Sequence, residues 1–417
     1  MTHHIANPIA NSGQFAAEEA VIAMRADPRF AATRELIEKL FAMGYGDRIP
    51  PDDRPLLGAF CDEYLTNWLF KAAASDAQYP RFVRNFMPAH RWHGHDVPAA
   101  RTGGDNPDNC YRLAGIEHGT RYRVTGSLGA DRPSTVSFTL TANYGTSMTV
   151  QTIESHELQC DADGRFALTI DATPADGRPN HLTTQPNVKL LFVRDSMMDW
   201  AHETPLDLRI ERIGDAKADP VSLEDMILRG VQHALHDVQL YFWFQNLFSG
   251  LAPNKLTAPE APGGRNGGLT TQASAHVNFQ LQPDDAAIVE YEPAGAGYSA
   301  FQLTEWLFRS ADYQTIQSSR NTSQCSVDRD GRVRLVIARR DPGVANWVDT
   351  GDRSHVLAML RWQKMAPGAK LPRAGLRMTS IKRLKEELPK ETSWLSPEQR
   401  ASQLAARVAA YNRRITE

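Results

Sequence analysis

Asp163-Gly164-Arg165-Phe166-Ala167-Leu168-Thr169-Ile170 and Asp330-Gly331-Arg332-Val333-Arg334-Leu335-Val336-Ile337 are two copies of one phrase, and their context decides the fold. Asn180 lies sixteen residues past Gly164, and Asn346 lies fifteen past Gly331. Each copy closes on an arginine thirty residues past its glycine, Arg194 and Arg361, after an apolar run (Val188–Val193; Val356–Leu360). A turn-and-strand unit of this length, written twice, predicts two related β domains, with a cleft as the natural place for function.

Working outward, the grammar on either side differs. Residues 1–97 read as a helical region: Phe15, Ala20, Val21 and Met24 follow a Ser12 cap, Phe30, Leu36, Ile37, Leu40 and Phe41 recur at helical spacing, and Gly44 and Gly46 end that element. A third helix starts near Asp52 or Asp53 and buries Phe60, Tyr64 and Trp68. Short alternating segments separated by turns then fill a first β domain over 98–213. A connector helix occupies 214–260, capped by Ser222 and ending in Tyr241–Phe248, a run apolar nearly all round that predicts burial between domains. The glycines from Gly263 to Gly268 make a flexible joint, 261–366 a second β domain, and 367–417 a helical tail with Leu404, Val408 and Tyr411 as its apolar stripe and Arg400, Arg407 and Arg414 on its polar face. The fold class is α+β, mainly β: two related antiparallel sandwiches or jelly rolls with a helical N-terminal region, a connector helix and a C-terminal helix.

Composition removes several function classes. Basic and acidic residues nearly balance, 46 against 49, so no charge field favours nucleic acid or an anionic membrane as partner. The cysteines are scattered without a Cys-x-x-Cys pair, no apolar run reaches the roughly twenty residues of a membrane span, and no signal peptide is seen, which predicts a cytoplasmic protein. The chain carries no nucleophile elbow, phosphate loop or dinucleotide fingerprint, so no organic cofactor is expected.

Three phrases carry a family resemblance: Asn106-Pro107-Asp108-Asn109-Cys110-Tyr111-Arg112, Asp163-Gly164-Arg165, and Asp341-Pro342-Gly343-Val344-Ala345-Asn346-Trp347-Val348-Asp349-Thr350. With Leu360-Arg361-Trp362 and Leu388-Pro389, they make residues 100 to 417 resemble bacterial members of the uncharacterised domain-of-unknown-function families numbered 1214 and 1254. The resemblance implies a sandwich or jelly roll with helical additions and little about chemistry. The first repeat departs from the second in having His181 where Trp347 stands.

Candidate residues follow from chemistry. His181 is a proton-transfer candidate near neutral pH, and Asp108 and Tyr111, in a dense polar loop, are placed to orient a substrate. Arg194 and Arg361 each offer a fork for a carboxylate, Trp306 and Trp347 offer apolar walls, and Asn346 either shares a loop-capping role with Asn180 or contacts the ligand beside Trp347. Asp161 to Gly164 and Asp328 to Gly331 mimic the start of a calcium loop, but its twelfth position holds Ala172 and Arg339, so Asp-Gly reads as a type I′ hairpin turn. His90, His93 and His95 form the histidine cluster; in an extended strand His93 and His95 point the same way, the start of a metal site that His118 or Glu117 would complete. His233 and Asp237 are four apart on the connector helix, a surface pair or a dyad.

These readings predict an enzyme that cleaves a small aromatic or apolar metabolite by acid–base chemistry, a lyase or hydrolase with a small-molecule partner. Three rivals stand beside it: a non-catalytic binder of glycans or hydrophobic ligands, a metal-dependent enzyme on the histidine cluster, and an assembly protein forming a homo-oligomer.

Overall fold

The computed structural model describes residues 7–145, 148–260, 269, 271–366 and 368–416. Three helices come first: α1 (Ser12–Ala26), α2 (Pro28–Tyr45) and α3 (Leu57–Ala73). Asn11, rather than Ser12, caps α1, with its side chain accepting from the Gln14 amide; Gly46, at φ 54°, ends α2. A strand β1 (Val83–Asn85) and a hairpin of β2 (His90–Trp92) and β3 (His95–Val97) lead into the first sandwich.

That sandwich comprises β4 (Asn109–Gly115), β5 (Arg121–Ser127), β6 (Thr135–Thr141), β7 (Thr149–Glu154), β8 (Arg165–Asp171), β9 (His181–Thr183), β10 (Leu190–Ser196) and β11 (Leu208–Ile213). After helix α4 (Leu223–Ser249), the second comprises β12 (Ala273–Gln280), β13 (Asp285–Tyr291), β14 (Tyr298–Thr304), β15 (Ser319–Asn321), β16 (Val333–Ala338), β17 (Trp347–Asp349), β18 (His355–Gln363) and β19 (Ala374–Ser380). The strand orders β4-β10-β6-β7 and β12-β18-β14-β15 are the same pattern in repeat register, as are β11-β5-β8-β9 and β19-β13-β16-β17. Even the exception recurs: β8–β9 and β16–β17 are parallel pairs in otherwise antiparallel sheets. The duplication seen in the sequence is thus a duplication of a whole eight-stranded sandwich.

Two expected boundaries move. β1 pairs with β4, so the first sandwich recruits a strand from before residue 98, and β19 pairs with β13, so the second runs past residue 366. The expected joint at Gly263 to Gly268 lies outside the described residues. The Asp-Gly turns also differ in type. Gly164 and Gly331 have φ of 75° and 78°, whereas Asp163 and Asp330 do not take positive φ, which a type I′ turn requires. The turn closes instead through Asp161, whose carbonyl accepts from the Gly164 amide and whose carboxylate accepts from the Asp163 and Arg165 amides.

Strand alternation sorts residues between two environments. On β10, Leu191 and Val193 enter the sandwich core, while Phe192 and Arg194 point to the opposite face. On β18, Ala358, Leu360 and Trp362 enter the second core, while Met359, Arg361 and Gln363 face away. These inner strands are buried on both faces because helices cover what the sandwich cores do not. Helix α3 is buried almost all round, and Gly230 lets α4 approach it so closely that a Cβ there would meet Leu69 Cδ2 at 2.7 Å.

Two helices present other faces than their patterns predict. The end of α4 is not wholly buried: Leu240, Trp243 and Leu247 are exposed, with Trp243 at 48%. The last helix, α6 (Pro397–Asn412), docks by its arginine face. Arg400, Arg407 and, just past its end, Arg414 are buried; of the expected apolar stripe Tyr411 is buried too, whereas Leu404 and Val408 are half-buried. Arg400 reaches Asp341 at 2.9 Å, and Arg407 and Arg414 lie over the Trp200 ring at 4.2 and 4.8 Å. Long side chains bury their stems while carrying charge inward to carbonyls and rings, which a hydrophobic count misses.

Candidate functional site

A cavity of about 560 Å³ lies between the inner sheets of the two sandwiches and beneath α3 and α4. Its floor is made by the middle strands, which bring Arg194 and Arg361 together from equivalent repeat positions. The exposed residues Leu240, Trp243 and Met148 mark its opening.

Arg361 donates from Nη1 to Gln302 Oε1 and from Nη2 to the Gly104 carbonyl at 3.0 Å. Both acceptors are neutral, so its charge is hydrogen-bonded but not neutralised. The Gly104 carbonyl is aimed there by a loop only glycine fits. Gly104 has φ 69°, its amide donates to the Phe308 carbonyl at 2.8 Å, and a Cβ would meet the Phe308 ring at 2.7 Å. Arg194 donates to Thr139 Oγ1 at 3.4 Å, and its guanidinium lies 4.0 Å from the Phe192 ring centroid. Burial, reinforced by the Arg361 charge, lowers its pKa to about 10 despite opposing contributions from Tyr111 and Glu154. Tyr111 stacks on Phe192 at 5.6 Å, and its hydroxyl accepts from the Asn106 amide at 2.9 Å.

The roof carries the titratable groups. Tyr64, Trp68 and Lys71 share one face of α3. The Lys71 ammonium sits 4.1 Å from the Trp68 ring centroid and has no hydrogen-bond partner among the described residues; burial lowers its pKa to about 8, against the pull of Asp237. On α4, burial raises the Asp237 carboxyl, with Lys71 and the Tyr64 hydroxyl, which donates to Asp237 Oδ2 at 3.0 Å, opposing. Asp105 is a second cavity carboxyl, raised to about 6 by burial although the Ser310 hydroxyl and amide donate to it. The arrangement is cationic at the floor, aromatic along the walls and acid–base competent at the roof.

Of the residues expected from sequence, Arg194, Arg361, Tyr111 and Asp237 meet in this cavity. The others do not line it. His181 is buried in the outer sheet, its Nε2 3.0 Å from Asp171 Oδ1 and 3.2 Å from Arg178. Asp108 ties the two sandwiches together, accepting from Trp200 Nε1 at 2.7 Å, Asn321 Nδ2 at 2.9 Å and the Tyr298 hydroxyl at 2.7 Å. Asn346 clamps Ser326, accepting from its amide at 2.9 Å and donating to its carbonyl at 2.8 Å; Asn180 does the same to Gln159 at 2.8 and 2.7 Å. Gln159 and Ser326 each lie five residues before the repeat glycine, so the recurring asparagine is a strand-bracing clamp. The Trp347 indole donates to the Ala338 carbonyl and meets Arg400, and Trp306 packs on Tyr45 at 5.1 Å.

The histidine cluster does not converge. His93 and Gly94 form the β2–β3 turn at φ 47° and 81°, which removes the extended alternation assumed for His93 and His95. His90 Nδ1 meets the Pro88 carbonyl, His93 packs on Phe15, and His95 lies 3.6 Å from Glu19. Glu117 is bonded by Gln78 and Thr120, and His118 meets Thr184. No group of three or more His, Cys, Asp or Glu able to hold a metal occurs among the described residues. Asp237 bonds Tyr64, while His233 stacks against Trp68 at 5.8 Å. The residues that sequence reasoning passed over are Lys71, Tyr64 and Asp105; a lone lysine on the same face as Tyr64 and Trp68 of α3 was the available signal.

No protein-family model matches the chain, and no curated protein matches it. Among solved structures, it is similar to an uncharacterized protein from Burkholderia cenocepacia, at TM-score 0.70 and 23% identity, covering 88% of this chain and 100% of that one. A Vibrio parahaemolyticus protein aligns at TM-score 0.41 and 11% identity, over 66% of this chain and 90% of that one. The Burkholderia likeness shows the fold, a pair of sandwiches with helical additions. No helix among the described residues is long and apolar enough to cross a membrane.

Proposed function

We propose that the chain is an enzyme acting on a small molecule with an apolar or aromatic body and an anionic head, by proton transfer and without an organic cofactor. The observation that carries this is the meeting of Arg194 and Arg361, one from each repeat, in a single aromatic-walled cavity opposite Lys71 and Asp237. The Arg361 guanidinium, bonded to the neutral oxygens of Gln302 and Gly104, favours an incoming carboxylate or similar group, since a second charge offsets the cost of burying the first. Phe192, Tyr111, Trp68 and Phe86 supply flat surfaces for the body of the ligand. Lys71, with its pKa lowered toward neutrality, and Asp237, raised from the carboxylate range, form the acid–base pair that a lyase or hydrolase needs. Of the phrases behind the family resemblance, the one around Asn106 supplies Asn106, Asn109 and Tyr111 to this wall, and we retain the families numbered 1214 and 1254 as the proposed kinship.

A thermal-shift screen of aromatic and branched aliphatic carboxylates, followed by calorimetry and product analysis, tests the reading. Arg361→Gln is expected to weaken the best ligand roughly 10-fold or more, the loss of a charge-assisted pair. Equal affinity in wild type and variant would overturn the anchor. The exposed apolar rim of Leu240 and Trp243 favours a second reading, a carrier of hydrophobic anions; a ligand that binds through Arg361 and is recovered unchanged would select it.

A further inference from the structure

A second cavity, of about 290 Å³, lies where α6 crosses β15 and the loop Met198–Ala201 that follows β10. It shares no lining residue with the first. Two arginines face it, Arg320 from β15 and Arg407 from α6, exposed by only 2% and 9%.

These two guanidiniums are bonded to neutral groups: oxygens throughout, with the Cys325 thiol, kept protonated by burial, beside Arg320. Arg320 donates to the carbonyls of Trp347 at 3.3 Å, Ala345 at 2.6 Å and Gln324. Arg407 donates to the Tyr313 carbonyl at 3.3 Å, Gln324 Oε1 at 3.4 Å and Ser319 Oγ at 2.8 Å. Neither forms a salt bridge among the described residues. Behind them, buried Arg414 donates to the Pro107 carbonyl at 3.0 Å and leaves Nε and Nη2 without partners. The buried carboxylate of this cluster, Asp108, is engaged by Trp200, Asn321 and Tyr298. Asp199 on the rim is turned toward His202 at 2.8 Å and the Ala201 amide at 3.0 Å. Arg407 and Arg414 therefore share the field of one buried carboxylate, Asp108, already held by neutral donors; exposed Asp312 adds a weaker pull on Arg407, and Arg320 stands beside them with no carboxylate bonded to it. Charges buried in such excess are costly unless a counter-charge completes them, and here an accessible cavity is left beside them.

We propose that this second cavity binds a phosphoryl group, as inorganic phosphate or as a phosphomonoester of a small metabolite, between Arg320 and Arg407. Planar guanidiniums on opposite elements match the several oxygens of a phosphate better than a single carboxylate. The volume exceeds what one phosphate fills, which leaves room for a small esterified group. The bound anion joins α6 to β15 and to the Met198–Ala201 loop, so it acts as a removable pin between the C-terminal helix and both sandwiches. This site is independent of the chemistry proposed for the first cavity.

Titration of the full chain with inorganic phosphate and with glycerol phosphate, against chloride at matched ionic strength, provides the test. Both oxyanions are expected to raise the melting temperature saturably and to slow amide exchange across α6 and Ser319–Gln324, and chloride is not. A tighter constant for the ester identifies an esterified metabolite as the ligand; equal constants identify the free ion. Arg407→Gln is expected to weaken binding about 10-fold or more, as loss of one charge-assisted partner does. Should that variant fail to fold, Ala410→Glu places a carboxylate on the cavity wall one turn from Arg407 and is expected to abolish the phosphate response while retaining the fold. An equal response to chloride, or a phosphate response unchanged in a folded variant, overturns the proposal.

Discussion

Lys71 concentrates the chemistry of the first cavity at one atom. Its ammonium is buried over Trp68, and burial brings its pKa from 10.5 down to about 8. A lowered lysine pKa means that the unfolded chain binds the proton more tightly, so stability rises with pH between the two values. The wild-type protein is therefore expected to gain stability from about pH 8 to the ordinary lysine range, and Lys71→Met to lose that slope in denaturant titrations. At pH 7 the same variant should be more stable, by on the order of 2–3 kcal/mol, while losing turnover and retaining the ligand. A variant that is both less stable and equally active would contradict the role given to Lys71. His181 provides the contrast: His181→Ala should cost roughly 1–3 kcal/mol by leaving buried Asp171 short of a partner, with no change in ligand affinity at the first cavity. Sequence alone made His181 attractive because it is where the repeats differ, yet difference between copies marks a changed environment as readily as a changed role. Arg194 and Arg361 were legible because both recur at one position; Lys71 was not, since a lysine near a helix end ordinarily reads as a surface residue.

At the scale of elements, glycine positions test how tightly helices must approach. A Cβ on Gly44 would lie 2.3 Å from the Phe242 ring, so Gly44→Ala is expected to destabilise the α2–α4 contact by about 1–3 kcal/mol, measured by urea unfolding. Gly104→Ala adds a strained φ to its clash with Phe308 and displaces the carbonyl that holds Arg361; it should weaken the anionic ligand as well as the fold. Element existence was largely legible: the helical period through α1–α4, the Ser222 cap and the repeat strands all appear, although α3 starts at Leu57 rather than near Asp52 or Asp53. Faces were harder. Helix α6 and the residues just past its end carry Arg400, Arg407 and Arg414 at seven-residue intervals, a stripe as regular as an apolar one, but whether it meets water or buried carbonyls depends on the partner surface. The same ignorance of the partner explains why β1 and β19 fell outside the expected domains: edge strands are short, and pairing defines them more than composition does.

For the whole molecule, the question is what holds two sandwiches in fixed relation. Asp108 is one answer, a buried carboxylate from the first sandwich that accepts from Tyr298 and Asn321 of the second. Asp108→Ala leaves three buried donors unsatisfied and is expected to cost at least about 3 kcal/mol, splitting one calorimetric transition into two. A single transition at unchanged temperature would show that the helices alone fix the relation. The duplication was plain from the sequence, but that both copies open on one shared cavity was not, because repeat spacing describes each domain internally and says nothing of their docking.

The alternation along β10 and β18 has a consequence for descent. Phe192, Arg194, Met359 and Arg361 point into the chamber, while their sequence neighbours build the two sandwich cores. Exchanging those four side chains would change the guest the chamber admits without disturbing either core. Lineages from this duplication can therefore trade one small anion for another while both sandwich cores stay intact, and kinship in fold predicts little kinship in diet.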